Sequence, residues 1–168
     1  MSNPAGRPGR LLKFFSSSAT NKVDGKGRVS IPAPFRKVLQ GEGSQILFLM
    51  PELRGAPTIV GFGERHFENL ANSLIRMNPF GEEYDALADA VAGQARQLPL
   101  DETGRIVLPK DLRELAGIGD EAFFVGKVNM FQIWNPETYA AARPALMEKA
   151  RANFDKLDWA GAGDRGRS

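Results

Sequence analysis

VDGKGRVSIPAPFRKVL, residues 23–39, returns 77 residues later as LDETGRIVLPKDLRELA, residues 100–116. Without a gap, Asp24 matches Asp101, Gly27 matches Gly104, Arg28 matches Arg105, Pro32 matches Pro109 and Arg36 matches Arg113. Val29/Ile106, Ile31/Leu108 and Phe35/Leu112 exchange one apolar side chain for another. The chain is therefore an internal duplication of two halves, each near the size of a small domain. Each copy reads as strand, tight loop, strand and short helix. Aspartate suits the start of a type I turn, where its carboxylate accepts backbone N–H groups. Glycine three residues later suits the left-handed position that closes a bulged hairpin. The run from Arg28 to Ile31, or Arg105 to Leu108, is β-branched and apolar. Proline then ends the strand and opens a helix over 34–40 or 110–116, with Gly41 and Gly117 as the expected helix stops.

Outward from these copies the halves continue alike. Residues 46–50 and 122–125 read as buried strands, each followed by a loop (51–57 and 126–129) and a return strand (58–62 and 130–134). A helix closes each half, one over about 64–74 and one over 136–151 with Asn135 as cap and Pro136 at its first position. An acidic helix at about 82–92 joins the halves. The fold expected is mainly β with short helices, in two pseudo-symmetric β-β-α-β-β-α halves. The domain plan is a disordered basic tail over 1–13, a first unit over 18–65, a helical linker over 66–94, a second unit over 95–138, the C-terminal helix over 136–151, and a flexible tail over 152–168. Phe14, Phe15, Phe35, Phe48, Phe123, Phe124 and Trp134 read as core.

Composition narrows the function. At 168 residues, with 42% hydrophobic and 25% charged residues, the chain is an ordinary globular protein rather than a disordered one. It has no cysteine and one histidine, His66, which leaves no disulfide framework and no metal cluster. Neither a run of membrane-spanning length nor an N-terminal apolar signal occurs, which points to the cytoplasm. No phosphate-binding Gly-rich motif, zinc-protease motif or nucleophile–base pair is present, and nothing calls for a cofactor or a small-molecule substrate. The Asp101–Glu102 pair lies in a turn where Arg105 holds it ionised, which is wrong for general-acid work. The net charge of +2 conceals a split. Residues 1–40 carry eight cations against one anion, whereas 64–92 carry two against six. Such asymmetry points the first part at a polyanion.

With FFSSSATNKVDGKGRVSIPAPFR (14–36), DETGRIVLPKDLRELAGI (101–118) and VGKVNMFQIW (125–134), the chain resembles the MraZ family of bacterial transcriptional regulators. The resemblance covers roughly 14–150. It implies an AbrB-like double-split β-barrel in which one chain looks like a fused dimer. It further implies a ring-shaped homo-oligomer whose D-x-x-x-R loops contact G-rich direct repeats of double-stranded DNA, with the protein associated with the nucleoid. The implied role is regulation, leaning to repression, of the division and cell-wall gene cluster. The family's motif carries over as Asp24 and Arg28, and as Asp101 and Arg105.

Turn geometry alone accounts for the aspartates and glycines, and aspartate is expected to pin the neighbouring arginine rather than touch phosphate. It does not account for Arg28 and Arg105, which are suited to bidentate contact with phosphate or guanine. Lys26 is an exposed tip cation. The second copy replaces it by Thr103 and replaces Gly25 by Glu102, so the first loop is expected to dominate DNA contact. Arg36 and Arg113 follow the prolines, where DNA contact, pairing with a carboxylate or capping of a helix end all remain open. One chain offers two loops some distance apart, and helices 64–74 and 136–151 keep mixed faces (Phe67, Leu70, Leu74; Tyr139, Leu146, Met147) for neighbouring subunits. The alternative from another class is a protein-binding scaffold ring in which DNA is incidental.

Overall fold

The computed structural model describes residues 13–160. The strands are β1 (Ser18–Lys22), β2 (Arg28–Ser30), β3 (Ile46–Pro51), β4 (Ile59–Phe62), β5 (Arg96–Pro99), β6 (Arg105–Val107), β7 (Glu121–Gly126) and β8 (Phe131–Trp134). The helices are α1 (Ala33–Gly41), α2 (Glu64–Ile75), α3 (Glu82–Ala88), α4 (Lys110–Leu115) and α5 (Pro136–Ala152). The fold of the described residues is thus built on eight strands, with four short helices among them and one longer helix after them. It falls into two compact bodies, one up to Pro136 and one from Glu137 onward.

In the first body the halves interleave. Six antiparallel strands pair in the order β1-β7-β8-β4-β3-β5, and β2 pairs with β6 in a separate two-stranded ribbon. The order reads the same from either end if each strand is exchanged for its counterpart in the other half. A pseudo-two-fold therefore passes between β4 and β8 and through the Val29–Ile106 pair of the ribbon. The motif forms no regular hairpin. After the turn at Asp24 the chain leaves the sheet, because β1 pairs with β7 while β2 pairs with β6. The Val23–Val29 bridge and a hydrogen bond from the Asn21 side-chain amide to Ser30 O (2.7 Å) still join the two arms.

Exchange of strands gives the halves one core. Phe35 of α1 meets Phe15 edge-on at 5.5 Å, Phe131 at 5.1 Å and Phe124 at 6.3 Å. Val29, Ile31, Ile106 and Leu108 enter the same cluster from the ribbon. The sheet's other face carries a second cluster of Phe48, Met50, Val60, Phe62 and Val91. Strand β3 therefore alternates Leu47 and Leu49 into one cluster with Phe48 and Met50 into the other, which is why its sequence is apolar throughout. Phe67, Leu70 and Leu74 of α2 cover this second face, with the Phe67 ring stacked on Phe48 at 4.4 Å. That mixed helix face is used inside the chain, contrary to the expectation that it awaits a neighbour.

Three further expectations change. Phe14 is 56% exposed at a bend, and Phe15, bridged to Val128, takes the inward place. Gly41 stays within α1, and the left-handed turn that ends it falls on Gly43 (φ +74°), whereas Gly117 (φ +62°) does stop α4. The tails read as disordered lie outside the described residues at 1–12 and 161–168. Within the expected flexible tail, 154–156 form a 3₁₀ turn and Phe154 packs on Trp159 at 5.6 Å. In the second body α5 spans its expected residues and buries none of them.

Because Phe35 binds first-half and second-half aromatics together, Phe35→Ala should cost about 3–5 kcal/mol, the range for emptying a buried phenylalanine site. Urea unfolding followed by CD should show one transition shifted as a whole. Two separated transitions, with the later one unshifted, would show that the halves fold independently.

Candidate nucleic-acid interface

Each loop is built around one carboxylate. Asp24 Oδ1 accepts the backbone N–H groups of Lys26 and Arg28, both at 2.9 Å, and Oδ2 accepts Nε–H of Arg28 at 2.6 Å. Asp101 Oδ1 accepts the N–H groups of Thr103 (2.8 Å) and Arg105 (2.9 Å), and Oδ2 accepts Nε–H of Arg105 at 3.0 Å. The backbone closes identically, with Gly27 N–H donating to Asp24 O and Gly104 N–H to Asp101 O, each at 3.0 Å. Gly27 (φ +80°) and Gly104 (φ +77°) take the left-handed conformation that β-carbons resist. The expected pinning of arginine by aspartate is present in both copies. It uses only Nε–H, so neither terminal nitrogen of Arg28 or Arg105 is engaged among the described residues. Each arginine is held at its base and offers the two-pronged end that fits phosphate oxygens or guanine O6 and N7.

The two loops stand at opposite ends of one short ribbon. Gly27 O accepts from Leu108 N and Gly104 O from Ile31 N, each at 2.9 Å, so each loop carbonyl is held by the other half. Ribbon register opposes Arg28 to Val107 and Ser30 to Arg105. That makes the two arginines diagonal neighbours, roughly 7–8 Å apart with their β-carbons somewhat closer.

Arg36 and Arg113 cross over as well. Arg36 Nη1 donates to Thr103 O of the second loop at 3.0 Å, and a β-carbon on Gly104 would fall 2.3 Å from the Arg36 side chain. Arg113 lies against Gly27 of the first loop while donating to the carbonyls of Ile118 (3.1 Å) and Gly119 (2.9 Å), just beyond the end of α4. Both arginines thus bind backbone carbonyls of loops, Arg36 that of Thr103 and Arg113 those of the segment that follows α4. Arg36 also returns a positive charge to the loop that lacks Lys26. Even so, Lys26 stands exposed in the first loop, whereas in the second Thr103 turns its hydroxyl onto Asp101 Oδ1 at 2.8 Å and Glu102 is exposed.

Reading the sequence for cations missed Ser30 and Val107, which stand exposed on the same ribbon face as the arginines. The period of two in R-V-S-I and R-I-V-L was the available signal. His66 packs edge-on against Phe62 at 5.1 Å, and its burial lowers its pKa.

Hydrogen bonds from the Arg28 backbone, then its side chain and the Lys26 backbone, hold the Asp24 pKa below its ordinary 3.8. The Arg105 backbone and then the Thr103 hydroxyl hold Asp101 lower still. A depressed native pKa gives stability that is complete above the unfolded value of 3.8 and is lost as pH falls through the native one. The loops should therefore keep their shape from neutral pH to below 3.8 and release their arginines only in stronger acid. In a carboxyl NMR titration Asp101 should have the lower midpoint, and Thr103→Val should raise it towards that of Asp24. Midpoints of 3.8 for both aspartates would overturn this account.

Known proteins share this sequence over most of its length. A family model described as "MraZ protein, putative antitoxin-like" matches residues 91–158. A protein of Parvibaculum lavamentivorans named Transcriptional regulator MraZ is 45% identical over 130 residues, covering 77% of this chain and 81% of the relative. Relatives of the same name from Gluconobacter oxydans (39% identical; 83% of this chain, 87% of the relative) and Rhodospirillum rubrum (40%; 79% and 86%) align over similar spans. On this similarity across both halves, the chain belongs to the MraZ family.

Proposed function

We propose that the chain is a sequence-specific, DNA-binding transcriptional regulator that reads double-stranded DNA with the β2–β6 ribbon and its two loops. The observation that carries this reading is the pair of aspartate-pinned arginines with unengaged ends on one outward ribbon face. A two-stranded ribbon fits the roughly 12 Å major groove. The 7–8 Å diagonal between the arginines is close to two steps of about 3.4 Å along a DNA strand. The relatives are named as transcriptional regulators, which is a role in regulation and not in enzymatic turnover.

Within that function we read Arg28 and Arg105 as base or phosphate readers, Lys26 as a phosphate contact, Asp24 and Asp101 as their positioning groups, and Arg36 as support for the second loop with its own reach to DNA. Residues 18–65 and 95–138 serve as the two AbrB-like units and 66–94 as their linker. The family resemblance supports a cytoplasmic, nucleoid-associated homo-oligomeric ring on promoter direct repeats, repressing the division and cell-wall cluster. No helix among the described residues is long and apolar enough to cross a membrane. Leu146 and Met147 of α5, 37% and 39% exposed, are side chains available to such an assembly.

The test is a gel shift on the DNA upstream of the protein's own gene. Arg28→Ala should lose about 1–3 kcal/mol per engaged loop, the worth of a bidentate base contact, with folding intact. Arg105→Ala should lose less, because Glu102 opposes phosphate beside it. Lys26→Ala should weaken all sequences alike and lower the salt slope by about one. A folded Arg28→Ala protein that binds as tightly as wild type would remove the site assignment. In light scattering without DNA, the expected mass exceeds that of two chains, and a clean 18.4 kDa species would rule out the ring.

A further inference from the structure

Ribbon register decides which side chains accompany the two arginines. Opposed residues of an antiparallel pair point to the same side, and alternate residues along each strand return to it. Val29 opposes Ile106, and these are buried at 1% and 3% exposure. The flanking pairs, Arg28–Val107 and Ser30–Arg105, therefore face out. Four side chains make the outer face, with the arginines on one diagonal and Ser30 and Val107 on the other.

Ser30 and Val107 occupy equivalent places in the 77-residue repeat. The aspartate, the left-handed glycine, the arginine, the buried β-branched residue and the proline are all duplicated around them. This place alone on the outer face differs in kind, with a hydroxyl on one strand and two methyl groups on the other. Val107 is 55% exposed and lies against the first loop, its Cγ1 being 3.8 Å from where a β-carbon on Gly27 would stand. A single exposed valine is unremarkable elsewhere on a protein. Here it sits beside an arginine whose binding end is unengaged, at the centre of the charged face.

The major groove offers one apolar feature, the 5-methyl group of thymine, while serine can meet a donor or an acceptor on any base edge. Opposed β-carbons lie about 4.5–5.5 Å apart, within side-chain reach of neighbouring base pairs stacked about 3.4 Å apart. Resting on the DNA-binding reading above, we infer that Val107 and Ser30 set base preference. Val107 covers the methyl group of a thymine next to the base read by Arg28, and Ser30 takes a polar base edge beside the base read by Arg105. The pseudo-symmetric ribbon thereby reads an asymmetric sequence and gives each repeat a direction.

Selection of duplexes from a random library with the full chain, followed by replacement of each selected thymine by uracil, tests this. Uracil removes only the methyl group. Wild type should lose about fourfold at one thymine position, the worth of burying one methyl group. Val107→Ser should abolish that loss and Val107→Ile should keep it. Ser30→Val should create a second methyl-sensitive position, and binding to random DNA and its salt slope should stay unchanged in all three. A wild-type protein that selects a defined sequence but binds its thymine and uracil forms equally overturns the inference and leaves the DNA reading standing. Retention of the wild-type thymine preference by Val107→Ser does the same. A wild-type protein that selects no sequence overturns both.

Discussion

Two reciprocal hydrogen bonds, Leu108 N–H to Gly27 O and Ile31 N–H to Gly104 O, bind each loop to the opposite half of the chain. The rest of the arrangement depends on them. The left-handed backbone at Gly27 and Gly104 closes each tight turn immediately before its strand. The reciprocal bonds fix the ribbon register, because they extend the β2–β6 ladder by one bond at each end. A slip of one residue would send Arg28 and Arg105 inward and bring Val29 and Ile106 to the surface. The core thus enforces the outward placement of the arginines, since Val29 and Ile106 belong to the cluster organised around Phe35.

On this frame the aspartates solve a problem of order. An exposed arginine loses rotamer freedom when it binds, and that loss weakens binding. Asp24 and Asp101 hold the side chain at Nε and the backbone at its N–H, so part of the ordering is complete before any ligand arrives. Each carboxylate accepts hydrogen bonds from the backbone and the arginine of its own loop. The acid that seemed at odds with a polyanion partner is thus part of the support for the cation beside it.

Duplication followed by divergence shows in what differs between the copies. The turn, the pin and the left-handed glycine are kept, and the tip and outer face are not. Lys26 against Thr103, and Ser30 against Val107, change the chemistry offered to a ligand without touching the core. Arg36 and Arg113 began as equivalents, yet Arg36 braces the motif loop of the other half and Arg113 ties down the segment after its own helix.

The sequence by itself determined the local parts of this protein. The bonds from Asp24 and Asp101 reach no more than four residues along the chain, so the D-x-x-G-R spacing holds everything needed to form the turn and pin the arginine. Element order, the repeat and most helix limits were legible for the same reason, through proline, glycine and apolar period. Tertiary structure alone decided which strands pair. Two nearly identical motifs satisfy the same pattern whether each closes a hairpin on itself or trades strands with the other. Trading wins because it seats Phe35 among Phe124 and Phe131 and buries Val29 against Ile106. From that non-local choice come the joining of the two loops by one ribbon, the reach of Arg36 to Thr103, and the shared face that places Ser30 and Val107 between the arginines.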